Sequence, residues 1–133
     1  MYHITFVASR QLISVKLTGL FSAGEVERYV ADLRDRFLRH RFKAGYLMLI
    51  DTSECTIQPQ DVLLALQEHM ASFPKASRIA VVTGSSLARM QVRRVMHQPY
   101  LRIVATAREG HQWLFASEDA AEPAVSAGAS SAP

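Results

Sequence analysis

Cysteine is nearly missing from this chain: Cys55 stands alone among 133 residues. One thiol excludes an internal disulfide and is too few for a thiolate zinc site. Long apolar runs are missing too. The longest, at 46–50 and 62–66, fall far short of the ~20 residues that cross a bilayer, so no membrane span is expected. The opening Met1-Tyr2-His3-Ile4-Thr5-Phe6 has no basic stretch and no small-residue cleavage site, from which a cytoplasmic location is expected. His3, His40, His69, His97 and His111 are scattered, with no His-x-x-x-His or Glu-x-x-His spacing, and no metal site is expected. The chain also lacks a Gly-Lys-Ser phosphate loop and a Lys/Arg stripe interleaved with aromatics, which argues against nucleotide and nucleic-acid partners. No cofactor is expected.

What is present is ordinary globular material. Apolar residues make up 49% and charged residues 20%, enough to build one core, and 133 residues is the size of one domain. The net charge of +3 is unevenly spread. Residues 118–133 carry Glu118, Asp119 and Glu122 and no basic side chain, leaving 15 basic against 9 acidic groups on residues 1–117. The division expected is a domain over 1–117 and a flexible, acidic Ala/Ser-rich tail over 118–133, whose composition buries too little to offset ordering entropy.

Patterning gives the elements. Residues 2–8 and 12–18 are rich in β-branched and aromatic side chains, the second alternating apolar with polar, and read as a hairpin turned at 9–11. Ser22 and Glu25 have capping-box spacing. From there Val26, Tyr29, Val30, Leu33 and Phe37 mark one face of a helix running to about His40. Its basic end, with Arg34, Arg36, Arg39 and Arg41, complements the helix macrodipole. Gly45 breaks the chain, and 46–50 reads as a strand covered on both faces. Pro59 starts a second helix with its body at 61–70, and Pro74 ends it. A strand at 79–82, a helix at 87–97 stopping before Pro99, a strand at 101–105, and a short helix opened by Thr106 and Glu109 and anchored by Trp113 and Leu114 complete the order. The expected fold is α/β: a single mixed, mostly parallel five-stranded sheet with about four helices, in the order β-β-α-β-α-β-α-β-α.

That order resembles the STAS-like proteins, related to anti-sigma factor antagonists and compared with CRAL-TRIO lipid-transfer domains. The resemblance is carried by Val15-Lys16-Leu17-Thr18-Gly19 before the first helix, Leu49-Ile50-Asp51 in the middle strand, Arg78-Ile79-Ala80-Val81-Val82 and the late Glu109-Gly110-His111-Gln112-Trp113-Leu114. It spans about residues 2–116 and implies a bacterial, noncatalytic module that works through partners. In an antagonist, the loop after the middle strand leads to an Asp-Ser-Ser-Gly segment whose serine is phosphorylated. Here the stretch reads Asp51-Thr52-Ser53-Glu54-Cys55-Thr56-Ile57-Gln58-Pro59, so no phosphorylation site is carried over to Ser53 or Thr56.

Three features suggest contact with a partner or ligand. Asp51, Thr52, Ser53 and Thr56 sit where open α/β sheets place functional groups, although such residues also cap turns routinely. Gly84, Ser85 and Ser86 lead into a helix carrying Arg89 and Arg93, a place for a small anion or simply a solvated basic face. The second helix is apolar nearly all round, with Leu64 opposite Val62, Leu63 and Leu66. A second copy, another protein, or an apolar ligand lodged between this helix and its neighbour would cover it; one exposed leucine would need no cover. The expectation is a noncatalytic interaction module, acting on a protein partner or as a homodimer, with a small apolar or lipid-like ligand as the alternative. An enzyme using Asp51 with His97 or His111 requires the fold to bring those groups together.

Overall fold

In the computed structural model, residues 1–96 and 98–116 are described; His97 and the tail expected at 118–133 lie outside them. Ten short elements follow in order: β1 (Tyr2–Val7), a 3-10 turn (Ala8–Arg10), β2 (Leu12–Gly19), α1 (Ala23–Arg39), β3 (Leu47–Cys55), α2 (Gln60–Ala71), β4 (Arg78–Val82), α3 (Ser86–Val95), β5 (Leu101–Val104) and α4 (Ala107–Leu114). The strands lie side by side in chain order, β1 antiparallel to β2 and the rest parallel. The mixed five-stranded sheet with four helices expected from the sequence is borne out.

The helices divide between the two faces because strand residues alternate. Ile13, Val15, Met48, Ile50, Ile79 and Val81 point to the larger core, with the stripe of α1 packed over them. Leu12, Leu49, Ala80 and Val82 point the other way, onto α4 and its Leu114. Uniform right-handed crossovers in a sheet of sequential order place α1, α2 and α3 together on one face, leaving the other to the last helix. Contact between α4 and the sheet is close because Gly110 presents no side chain: a Cβ there would stand 2.6 Å from Leu49 Cδ1 and 3.3 Å from Ala80 Cβ.

Local chemistry sets the ends of the elements. Ser22, Ser85 and Thr106 cap α1, α3 and α4, each side chain accepting a backbone N–H three residues on. The two capping boxes differ in the second arm. Glu109 Oε1 reaches back to Ala105 N at 3.0 Å, whereas Glu25 turns to the Met1 amino group at 2.6 Å. Gly45 takes φ +95°, a left-handed turn that suits glycine, and its N–H donates to the Lys75 carbonyl at 2.8 Å. At the foot of the sheet Phe37 meets Tyr46 and Phe73 edge-on at 5.3 and 5.2 Å. Arg78 crosses the β4 end of α4 and donates to the Trp113 carbonyl at 2.6 Å.

The strand β3 differs from its expected end at Ile50. It continues through Asp51, Thr52, Ser53 and Glu54 to Cys55 because β2 is long enough to pair with it, Thr18 facing Glu54 and Gly19 facing Cys55 after a bulge. An exposed Lys16–Glu54 ion pair at 2.8 Å spans that bulge. The apolar run stops earlier than the strand because the last residues pair beyond the tightest part of the core.

Candidate functional site

The strands β3 and β4 are adjacent and parallel, Leu49 beside Ala80 and Ile50 beside Val81, so the connections that follow them leave the sheet at one edge. Below that edge, α2 does not close down onto the sheet. Only Val62 and Leu63 of its twelve residues are buried. Between α2, α3 and the strands lies a cavity of about 410 Å³.

Its floor is the sheet, through Leu17, Ile50, Thr52 and Val81. One wall is α2, through Val62, Leu66 and Met70; the other is α3, through Ala88, Gln91 and Val92. Phe21, Tyr29 and Met96 complete the apolar surface. Close-packed interiors leave few voids larger than a water molecule, so an opening of this size among leucine, valine and methionine side chains is a feature of the fold and not slack in the core.

Two glutamines form the mouth. Gln58 Oε1 accepts the Phe21 N–H at 2.9 Å, while its Nε2 donates to the carbonyls of Gly19 at 2.9 Å and Thr56 at 2.7 Å. The backbone of Gln58 is in turn clasped by Gln91, whose Oε1 accepts the Gln58 N–H at 3.2 Å and whose Nε2 donates to the Gln58 carbonyl at 3.0 Å. One residue thus ties the β2–α1 loop, the start of α2 and the middle of α3 together. Gln58→Ala leaves the Phe21 N–H without its acceptor and is expected to cost about 1–3 kcal/mol. A urea midpoint unchanged from wild type would show that the latch carries no load.

The sequence-predicted residues are divided between the cavity and the surface around it. Thr52 and Thr56 line the cavity, and Thr52 Oγ1 donates to the Val82 carbonyl at 2.7 Å. Asp51 and Ser53 satisfy each other: Asp51 Oδ1 accepts from Ser53 N at 2.9 Å and from Ser53 Oγ at 2.6 Å. Leu64 is on the outer side of α2, 53% exposed. At the start of α3, Gly84, Ser85 and Ser86 are exposed, and the Ser85 hydroxyl is used in accepting the Ala88 N–H at 3.1 Å. Arg89 is half-buried; Arg93 is exposed and borders a shallow depression at the β5 edge with Arg102. No hydrogen bond joins Asp51 to His111, whose ring stacks on Phe115 at 6.2 Å, and His97 lies outside the described residues. Among the described residues no three His, Cys, Asp or Glu side chains gather as metal ligands, and no helix is long and apolar enough to cross a membrane.

Sequence reasoning did not single out Tyr29, Gln58 or Gln91. Tyr29 reads as one more member of the α1 stripe, and a glutamine before Pro59 has no pattern that marks a latch. The all-round apolar character of α2 was the legible signal. It separates into two uses: Val62, Leu66 and Met70 toward the cavity, and Leu64 toward solvent.

Cys55 lies at the cavity's upper wall, half-buried. Burial pushes its thiol up to about 11, with smaller upward contributions from Asp51 and Glu54 against a downward one from the N-terminal amino group. Thiolate is the reacting form, and its population falls tenfold for each unit by which the pKa rises. Alkylation by iodoacetamide at pH 8 is expected to run roughly tenfold slower than with a thiol of ordinary pKa 9.0, the smaller thiolate fraction outweighing the greater nucleophilicity of a more basic thiolate, and to keep accelerating to pH 10. A rate that levels off below pH 9 would contradict this placement.

A five-stranded sheet in sequential order, helices α1 to α3 on one face and α4 on the other, defines the class: a SpoIIAA-like fold, that of the anti-sigma factor antagonists expected from the sequence. The particular likeness is to the crystal structure of an uncharacterised DUF3478-family protein with a SpoIIAA-like fold from Shewanella loihica PV-4, at a TM-score of 0.62. The two are 16% identical, and the match covers 85% of this chain and 93% of the other. At that identity the likeness speaks for the fold. No family model matches the chain, and no curated protein matches it.

Proposed function

We propose that this chain is a noncatalytic binding module that takes a small, mostly apolar molecule into the cavity between α2, α3 and the sheet. The observation that carries the reading is the cavity itself: about 410 Å³ with apolar walls and a few polar groups at its mouth. Ligand sites have this make-up and span ~300–1,000 Å³. Thr52 and Thr56 are its polar contacts from β3 and the following loop, Val62, Leu66, Val81 and Val92 its apolar ones. Among the described residues no acid–base pair lines the cavity: Asp51 is engaged with Ser53, and no carboxylate is part of the lining. Native mass spectrometry of freshly purified full chain is expected to show a companion mass that leaves on mild activation. A bare mass in several preparations, with no shift on adding medium-chain alcohols, would overturn the reading.

A second reading, a protein-contact module, is supported by a different observation. Leu20, Ile57, Leu64, Leu87 and Met90 are all at least 42% exposed, on loops and helices that border the cavity mouth. Exposed apolar groups on neighbouring elements suit a partner's surface, whether another protein or a second copy of this chain. Sedimentation equilibrium with wild type and Leu64→Glu separates these: a dimer that the substitution dissociates supports self-association, and a monomer in both excludes it.

A further inference from the structure

The described walls of the cavity are electrically neutral. Among the described residues its lining consists of aliphatic, aromatic, thioether, amide, hydroxyl and thiol groups, and no Arg, Lys, His, Asp or Glu of theirs reaches it, even though α3 carries Arg89, Arg93 and Arg94. The Cys55 thiol, pushed further up by burial, is uncharged at neutral pH as well. An ionised ligand inside would lose its hydration without gaining a counter-charge, a penalty of several kcal/mol that excludes fatty-acid-like anions from the interior.

Polar groups in the lining are mostly spent on the protein itself. Gln58 and Gln91 are committed to the latch, and the Thr52 hydroxyl proton goes to Val82. Gln67 is exposed to solvent. Gln98 Oε1 has no partner among the described residues but is sealed from contact with a water-sized atom. Tyr29 is different. It is 3% exposed, lines the cavity from α1, and has its ring set edge-on against Tyr2 at 5.4 Å. Its hydroxyl has no hydrogen-bond partner among the described residues, and the residue is part of the cavity's lining. A buried phenol normally finds a partner for its O–H.

We infer that the cavity selects an uncharged, largely apolar molecule bearing one hydrogen-bonding group, such as a medium-chain alcohol, and that the Tyr29 hydroxyl holds that group. This rests on the cavity being a ligand site. At the ~30 Å³ that a water-sized atom claims in a liquid, the space takes on the order of a dozen non-hydrogen atoms. Tyr29 is placed here as a specificity-determining residue.

The test is a titration of the full chain at pH 7.5 with decan-1-ol, decanoate and 1-chlorooctane, followed by methyl chemical shifts. Wild type is expected to bind decan-1-ol at least tenfold more tightly than decanoate. Tyr29→Phe keeps the ring and removes only the hydroxyl. It should weaken decan-1-ol about five- to tenfold, the effect of one hydrogen bond, and leave 1-chlorooctane within twofold. A merely structural role would weaken both probes together. Decanoate binding as tightly as decan-1-ol, or an alcohol-to-chlorooctane ratio that Tyr29→Phe leaves unchanged, overturns this inference and leaves the ligand site standing. Failure of every probe to bind wild type overturns both.

Discussion

Gly110→Val is expected to cost about 3 kcal/mol or more and to lower the melting temperature by on the order of 10 °C. The reason lies in how α4 meets the sheet. Even the first added carbon would stand 2.6 Å from Leu49 Cδ1 and 3.3 Å from Ala80 Cβ, with Val104 Cγ2 at 3.5 Å behind them. Leu49 and Ala80 are 3% and 0% exposed, so neither has room to retreat. Either α4 lifts from the strands, uncovering Leu12, Val82 and Leu114, or the side chains leave their preferred rotamers. Gly110→Ala should fall well below the valine in cost, because alanine recovers up to ~1 kcal/mol of helix propensity against a smaller clash. Circular dichroism melts of the two variants check this ordering. A valine variant melting within 2 °C of wild type would mean that α4 is not seated as described.

Ala88→Phe is expected to do the reverse: abolish ligand uptake and spare the fold. Ala88 lines the cavity from α3, and a phenylalanine there adds the six carbons of a ring, about half of a space for about a dozen atoms. Such a ring buries roughly 150–250 Å² that the ligand would otherwise cover. At ~25 cal/mol per Å², losing about half of that area from the ligand's contact costs about 2–3 kcal/mol, or about 20- to 200-fold in affinity for decan-1-ol. The filled cavity should keep or raise the melting temperature, since the ring replaces empty space with contacts. Calorimetric titration beside a melt reads both quantities. Undiminished binding in a folded Ala88→Phe protein would place the ligand elsewhere.

How much of this was legible in the sequence depends on what kind of information each feature needs. The order of elements is local: capping pairs at Ser22 and Thr106, the stripe of α1, and short apolar runs at β3 and β4 name themselves through periodicity and turn chemistry. The placement of α4 alone on one face follows once the strand order is known, and alternation in β3 and β4 already sorts Leu49 and Ala80 from Ile50 and Val81. The end of β3 was not legible, because Asp51 to Cys55 look like a loop until β2 is there to pair with them. The cavity was half legible. An α2 apolar on every side signals that something besides the sheet covers it, but a void is the distance between elements, and no single segment encodes it. Tyr29 and Gln58 owe their roles to neighbours more than twenty residues away, Thr52 or Val62 for the first and Gly19, Phe21 and Gln91 for the second, so only the folded chain reveals them.

The central claim is that a small apolar molecule enters between α2 and the sheet, and intermolecular nuclear Overhauser effects test it most directly. With decan-1-ol bound to the methyl-labelled full chain, cross-peaks are expected to Val62 and Val81, which are 1% and 2% exposed and can be touched only from inside. Cross-peaks confined to Leu64, Leu87 and Met90 on the outer surface, or none at all at saturating alcohol, would contradict it.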